Sequence, residues 1–532
     1  MNMKKLILML CAFALGGTAI GAGAEINIVP KPLAVTPRQG EFRLTPQSGI
    51  AVGKDAELHR AAELFAEQVA PVLGGELKAG AQGAVTVSVD PSLGAEAYTL
   101  DVTPEGIAIR GGSAQGAFYG LQSLRQLVID GKGTIPAVSI EDKPYFEYRG
   151  GMLDPCRHFW TVNEIKEYID ILAMHKMNRF HWHLTEDQGW RIEIKRYPEL
   201  TRVGSIRKET LVGQYMHSNE YDKTPYGGYY TQKEIREIVK YAAERFVTVI
   251  PEIELPGHAV AALASYPWLG CKGEGYEVRT TWGISTEVYC PGKESTFEFL
   301  QNVLAEVIEL FPSKYIHIGG DECPKESWKE CPLCQKRIKD EGLKDEYELQ
   351  SYTVHRIEKW LREHGREIIG WDEILEGGIS KTATIMSWRG SQGGIAAAKA
   401  GNHVIMTPNT HCYLDYYQTN TPVYEPQGIG GFLPMSRVYQ LDPYDQLNDE
   451  ERSYILGVQA NLWTEYIATF THVKHMLLPR LAAVAEVGWA YDRKDFEDFR
   501  HRMTSLRKTY DAAGLNYATY FFDGLDEVKK EK

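Results

Sequence analysis

The chain has 532 residues, 43% of them hydrophobic and 24% charged, and a formal net charge of −13. That length accommodates two domains, or one large barrel with an appendage, and the composition is ordinary for a globular protein. So acidic a balance argues against nucleic acid or an anionic membrane surface as partner.

In chain order, residues 1–24 read as a secretory leader rather than as fold. Lys4 and Lys5 supply the positive start, Leu6 to Leu15 the apolar core, and Ala22-Gly-Ala24 a small-residue cleavage site. The pattern predicts a mature start at Glu25 and a periplasmic or secreted product. Cys11 lies inside the apolar core behind bulky Leu10, so lipid attachment is not expected there. No later apolar run is long enough to span a bilayer.

Residues 25–145 predict a small, separate α+β domain. Ala84–Val89 and Gly106–Arg110 alternate or cluster as strands, and Ala114–Ile129 carries apolar residues at helical spacing before Asp130-Gly131. No acids, histidines or thiols gather in it, so catalysis is expected elsewhere and its role is packing support.

From residue 146 to 532 strands alternate with helices, the sign of parallel βα units. Eight strands are expected near Tyr148–Leu153, Asn178–Leu184, Val247–Glu252, Tyr315–Gly320, Glu367–Trp371, Thr384–Trp388, His403–Thr407 and Ile455–Leu462. Stripes such as Ile165, Ile169 and Leu172 mark helices between them. The fold class is therefore α/β, a (β/α)8 TIM barrel preceded by the α+β domain. Helices after the fifth and seventh strands are not evident, so the outer ring is expected to be incomplete.

Active sites of such barrels lie at the C-terminal ends of the strands. There the chain has Arg157-His158, Glu186-Asp-Gln188, Glu252 with His258, Asp321-Glu322, Trp371-Asp-Glu373, Trp388-Arg389, Tyr413-Leu-Asp415 and Trp463-Thr-Glu465. Each alone is weak evidence, since a Trp at a strand end usually packs and an Asp-Glu pair usually faces solvent. Converging on one rim, they describe a walled pocket with acids at its floor. Aromatic walls and carboxylates suit a sugar ring, whose faces are apolar and whose edge carries hydroxyls. The adjacent acids Asp321 and Glu322 repel, so an apolar setting would keep one protonated as a proton donor and the other ionised.

These segments resemble glycoside hydrolase family 20, the β-N-acetylhexosaminidases. The resemblance is carried by Arg149-Gly-Gly-Met-Leu-Asp154, His181-Trp-His-Leu-Thr-Glu-Asp-Gln188, Pro251-Glu-Ile-Glu-Leu-Pro-Gly-His258 and His317-Ile-Gly-Gly-Asp-Glu322. Trp371-Asp-Glu373, Ser387-Trp388, Tyr413-Leu-Asp415 and Asn461-Leu-Trp-Thr-Glu465 continue it, and Gly116-Ala-Phe-Tyr-Gly-Leu-Gln122 is similar to the family's accessory domain. The resemblance implies an exo-acting enzyme that removes terminal N-acetylhexosamine from glycans with retention, without cofactor or metal. Glu322 would be the general acid/base, and Asp321 would orient the substrate's 2-acetamido group, whose oxygen acts as the nucleophile. Tyr413 would hydrogen-bond that group, with Trp371, Trp388 and Trp463 as walls. Arg157, Asp415 and Glu465 would hold sugar hydroxyls, and Glu186 and His258 would support the acid from behind. Glu186 departs from the Asp usual in the family and lengthens that relay by a methylene.

Three rival readings stay open. One is a conventional retaining glycosidase with Glu373 or Glu254 as nucleophile; another is a non-catalytic sugar-binding protein; the third is a zinc-dependent hydrolase. Outside the leader the cysteines are Cys156, Cys271, Cys290, Cys323, Cys331, Cys334 and Cys412. Export permits disulfides. Cys271 is expected to pair with Cys290, and Cys323 could join Cys331 or Cys334. Zinc on Cys331-Pro-Leu-Cys334, with Cys323 as a third thiolate, is the lesser alternative.

Overall fold

The computed structural model describes residues 25–527, so the expected leader lies outside the described residues. The first unit follows from simple alternation. Along Tyr98–Thr103 the side chains of Tyr98, Leu100 and Val102 are buried and those between them are not, as a strand with one covered face requires. Strands β1 (Ala34–Arg43), β2 (Ile50–Val52), β3 (Ala79–Gly80), β4 (Val85–Val89), β5 (Tyr98–Thr103), β6 (Gly106–Gly111) and β7 (Thr134–Asp142) form one mixed sheet. Its order is β1-β7-β5-β6-β4-β2-β3. Helices α1 (Ala56–Leu73) and α2 (Ala114–Asp130) pack on each other and on the sheet. Ser113 caps α2 by accepting from the backbone N–H of Gln115 at 3.1 Å. Every residue from Ala114 to Ile129 except Gln115 is buried, because α2 is also covered by the helix Phe496–Ala512 of the second unit.

A buried polar cluster locks the two units together. Lys176 Nζ donates to Ser123 Oγ at 2.8 Å and Tyr98 Oη at 3.0 Å, and lies 3.2 Å from Asp142 Oδ2. Trp489 Nε1 donates to the other oxygen of Asp142 at 2.9 Å. A buried ammonium is tolerable only when paired and hydrogen-bonded in this way.

The second unit is a closed parallel barrel. Its strands are β8 (Tyr148–Leu153), β9 (Arg179–His183), β10 (Thr248–Glu252), β11 (Tyr315–His317), β12 (Glu367–Trp371), β13 (Thr384–Ser387), β14 (Val404–Met406) and β15 (Ile455–Ala460), and β15 pairs with β8. All eight fall where the sequence places them. Between them, α3 (Val162–Met174) and α4 (Gln232–Ala243) each begin at a capping box, Thr161 with Glu164 and Thr231 with Glu234. The stripe Ile165, Ile169 and Leu172 is fully buried, each such side chain contributing about 1.5–3 kcal/mol. The ring is incomplete as expected. Only a 3₁₀ turn, Asp372–Leu375, follows β12, and short helices such as Asn409–Cys412 and Met435–Tyr439 follow β14. No helix among the described residues is long and apolar enough to cross a membrane.

The thiols depart from expectation. All seven described cysteines are unbonded. Cys271 and Cys290 are neighbours, but as members of a four-thiol group with Cys331 and Cys334, and Cys323 is not part of it. The sequence pairs residues by spacing along the chain, whereas the fold brings two loops together edge to edge.

Candidate active site

The stretch after β11 turns sharply because nothing larger than glycine fits. Gly319 and Gly320 have φ of +67° and +95°, and a Cβ on Gly320 would lie 2.3 Å from Ile374 Cγ2. The turn delivers Asp321 and Glu322 to the C-terminal mouth of the barrel. Glu322 itself has φ +43° and His258, on the neighbouring loop, +47°. Non-glycine residues held in the left-handed region concentrate at functional sites, where the surroundings fix them against the strain.

A cavity of about 180 Å³ opens there. All eleven residues singled out from the sequence line it: Arg157, Glu186, His258, Asp321, Glu322, Trp371, Trp388, Tyr413, Asp415, Trp463 and Glu465. None of its lining residues comes from the first unit. Buried Trp371, Tyr413 and Asp415 close its inner end, while the Glu322 side chain keeps 33% of its surface exposed against 11% for Asp321. Trp388 and Tyr413 stack with ring centres 6.0 Å apart and 20° between planes, and Trp371 and Trp463 stand 5.9 Å apart.

Beneath the two acids runs a column of charge. His258 Nε2 lies 3.4 Å from Asp321 Oδ2 and 3.5 Å from Glu322 Oε2, and its Nδ1 is 2.8 Å from Glu186 Oε1. The longer side chain at position 186 therefore still closes the relay. Glu186 Oε2 is 3.1 Å from Arg157 Nη2 and 3.3 Å from His183 Nε2. His183 in turn hydrogen-bonds Glu252, which also accepts from Trp371 Nε1 at 2.8 Å and lies 2.9 Å from His317 Nδ1. Burial opposes the charge of His258, but the carboxylates of Glu186 and Asp321 outweigh it and hold the imidazole cationic well above its ordinary range. Burial likewise opposes Glu186, and Arg157 with His258 holds it well below the usual carboxylate value.

The opposite wall behaves differently. Burial, then the nearby Glu465, pushes Asp415 well above the usual carboxylate range, and burial raises Glu465 as well. Neither oxygen of Asp415 makes a hydrogen bond within the protein, and Asp321 Oδ1 makes none either. These polar atoms face the cavity and are free to hydrogen-bond a ligand's polar groups. Arg157 stands over the Trp463 ring at 5.2 Å and reaches Glu465 Oε1 at 3.7 Å, joining the two walls.

Neither rival nucleophile lines the cavity. Glu254 is buried behind Gly319, and burial, Asp321 and Glu252 push it well above the usual range. Glu373 accepts from Trp388 Nε1 at 2.9 Å and is pushed up to about 8 by burial and by Asp321 and Asp372. The sequence missed Tyr416 and Ile429, which also line the cavity. Tyr416 stands in the aromatic run Tyr413–Tyr417 and was within reach; Ile429 lies in a glycine-rich loop without periodicity.

Two adjacent carboxyl groups at the mouth, each within 3.5 Å of the His258 imidazole and set among aromatic rings, fit the class of barrel glycoside hydrolases. Residues 146–492 match the model of glycosyl hydrolase family 20, catalytic domain, and residues 25–143 that of the same family's domain 2. The chain is 48% identical to a β-hexosaminidase of Porphyromonas gingivalis over 92% of its own length and 64% of that protein's. It is 38% identical to a Vibrio furnissii β-hexosaminidase, over 87% and 77%. Among solved structures it resembles an exo β-N-acetylglucosaminidase of Vibrio harveyi in complex with N-acetylglucosamine. There the TM-score is 0.83 and the identity 34%, covering 93% of this chain and 78% of that one. It also resembles a mutant Streptomyces plicatus β-hexosaminidase in complex with product, at TM-score 0.81 and 31% identity, covering 92% and 96%. The chain belongs to glycosyl hydrolase family 20.

Proposed function

We infer that this family 20 enzyme is an exo-acting β-N-acetylhexosaminidase that removes terminal, non-reducing N-acetylhexosamine from glycans with retention, by substrate-assisted catalysis. The observation that carries the reading is the placement of Asp321 and Glu322 side by side on one loop, both within 3.5 Å of a cationic His258. Glu322, at the exposed mouth, donates a proton to the leaving oxygen and afterwards takes one from water. Asp321, deeper and with Oδ1 unpartnered, accepts from the acetamido N–H and offsets the positive charge that grows on the amide as its oxygen attacks the anomeric carbon. The Tyr413 phenol, kept protonated by burial, donates to the acetamido oxygen. Trp371, Trp388 and Trp463 enclose the ring, and Arg157, Asp415 and Glu465 bind its hydroxyls. Glu186 and His258 keep the acid pair oriented.

A protein nucleophile finds less support. A conventional retaining enzyme needs an ionised carboxylate about 5–5.5 Å from the acid, and Asp415, Glu465, Glu254 and Glu373 all have raised pKa values. The division into an accessory unit (25–145) and a catalytic barrel (146–532), and export through the leader at 1–24, belong to the same reading. N-terminal sequencing of cell fractions checks the export: Glu25 as the first residue of a periplasmic or secreted product supports it, and a full-length cytoplasmic product contradicts it.

The activity is tested with chromogenic β-glycosides of N-acetylglucosamine, N-acetylgalactosamine and glucose. Hydrolysis of either or both acetamido sugars, with no turnover of the glucoside, is expected. Comparable cleavage of the glucoside would favour a conventional nucleophile, and no turnover of any would leave a sugar-binding protein.

A further inference from the structure

Outside the cavity, beside the loop that carries Glu322, four sulfurs converge from two distant segments. Cys271, Cys290, Cys331 and Cys334 all hold their Sγ atoms within 4.8 Å of one another. The close approaches are Cys290–Cys334 at 3.5 Å, Cys290–Cys331 at 3.7 Å and Cys271–Cys334 at 3.8 Å. Four thiolates tetrahedrally disposed around zinc at about 2.3 Å stand about 3.8 Å apart. Two disulfides would sort the sulfurs into bonded pairs at about 2.05 Å, with no reason for all four to be mutual neighbours. Here Cys290 is shared between Cys331 and Cys334, and Cys334 between Cys290 and Cys271.

The scaffold is built for the convergence. An antiparallel bridge between Gly270 and Tyr289 brings together the two stretches that carry Cys271 and Cys290. Facing them is Cys331-Pro-Leu-Cys334, a C-x-x-C turn that opens the helix Pro332–Asp340 and presents both sulfurs from one helical end. Gly292 lets the two segments touch, since a Cβ there would lie 2.4 Å from the carbonyl carbon of Leu333 and 2.5 Å from the backbone nitrogen of Cys334. Trp328, fully buried, donates from Nε1 to the Tyr289 carbonyl at 2.8 Å and ties them again. Three of the four cysteines are buried and Cys271 is half-buried. With Val288, Cys323, Trp328 and Leu349 they form a small satellite core, against which Ile338, Leu343 and Tyr352 pack.

We propose that these four cysteines hold a structural zinc ion, which staples the loop after β10 to the loop after β11 that carries Glu322. All four ligands come from the protein, so the ion has no open position and takes no part in the hydrolysis. Each thiol binds as thiolate and gives its proton to solvent, with no change of oxidation state. The staple supports the outer wall beyond the acid, where Glu322, Cys323, Lys325 and Lys329 border a second groove.

The test is metal analysis of the purified full chain, combined with an intact mass measured without reduction. One equivalent of zinc per chain is expected, with the four thiols at full reduced mass and zinc released by a mercurial. Cys334→Ser should retain less than a tenth of an equivalent and melt at a lower temperature, and Cys412→Ser, at a buried thiol outside the group, should keep its zinc. If Cys334→Ser does not fold, the release titration on the unaltered protein decides. A mass short of the hydrogens of two disulfides would overturn the proposal. So would four free thiols that take up no added zinc, or iron found in place of zinc.

Discussion

The carboxylate of Glu254 occupies the space where a side chain on Gly319 would begin: a Cβ built on Gly319 would lie 1.7 Å from Glu254 Oε2. The first glycine of the Gly319-Gly320-Asp321-Glu322 turn is thus demanded by packing as well as by its positive φ. Gly319→Ala should lower the melting temperature, with about 1–3 kcal/mol from the backbone alone, and cut kcat/KM at least tenfold by displacing Asp321 and Glu322. Adding Glu254→Ala should recover part of the loss by emptying the space. Thermal denaturation and steady-state kinetics of the single and double variants check this. An unchanged melting temperature in Gly319→Ala would contradict the packing described.

Glu322→Gln keeps the shape of the site and, under the proposed mechanism, removes its proton donor. Activity on substrates with poor leaving groups should fall about 10²–10⁴-fold, the ordinary contribution of general acid catalysis. Aryl glycosides whose leaving group departs unprotonated should lose much less. Equal losses across a leaving-group series would take Glu322 out of the acid role.

The buried column predicts a pH dependence of stability. His183 is pushed up to about 10: burial opposes its charge, but Glu252 and Glu186 outweigh it. Unfolded, it titrates near 6.5. Below that value both states hold the proton and its contribution to stability is complete. As pH rises from 6.5 towards 10, the unfolded state gives up a proton that the folded state retains, so the contribution is lost progressively. The melting temperature should decline over that window, and His183→Asn should flatten the decline while lowering stability at neutral pH. Differential scanning calorimetry across pH 5–10 is the check. A wild-type decline identical to that of the variant would exclude His183 as its source.

The eight barrel strands were legible because each is a short apolar run ending at Gly, Pro or a polar pair, and such runs keep their character in any parallel sheet. The cavity was legible for a related reason, since strand ends must face one another once the barrel closes. Other features were not legible. Ile429 enters the cavity from a loop without periodicity. The column from Glu252 through His183 to Glu186 depends on side-chain directions in adjacent strands, which no spacing within one segment encodes. Nor was the thiol group legible, because Cys331 and Cys334 meet Cys271 and Cys290 across two long loops, and chain separation says nothing about which loops touch.

The central claim is that the substrate's acetamido oxygen, and no protein carboxylate, attacks the anomeric carbon while Asp321 stabilises the charge that results. Asp321→Asn should therefore be costly, by up to about 3–4 kcal/mol in the barrier, as preorganised electrostatic stabilisation allows. The most direct measurement is kcat/KM along a series of substrates whose N-acetyl group carries no, one, two or three fluorines, each weakening the amide oxygen as a nucleophile. A graded fall along the series, with the β-configured sugar as first product, is the predicted result. A flat series, together with a trapped glycosyl adduct on Glu373 or Glu254, would contradict it.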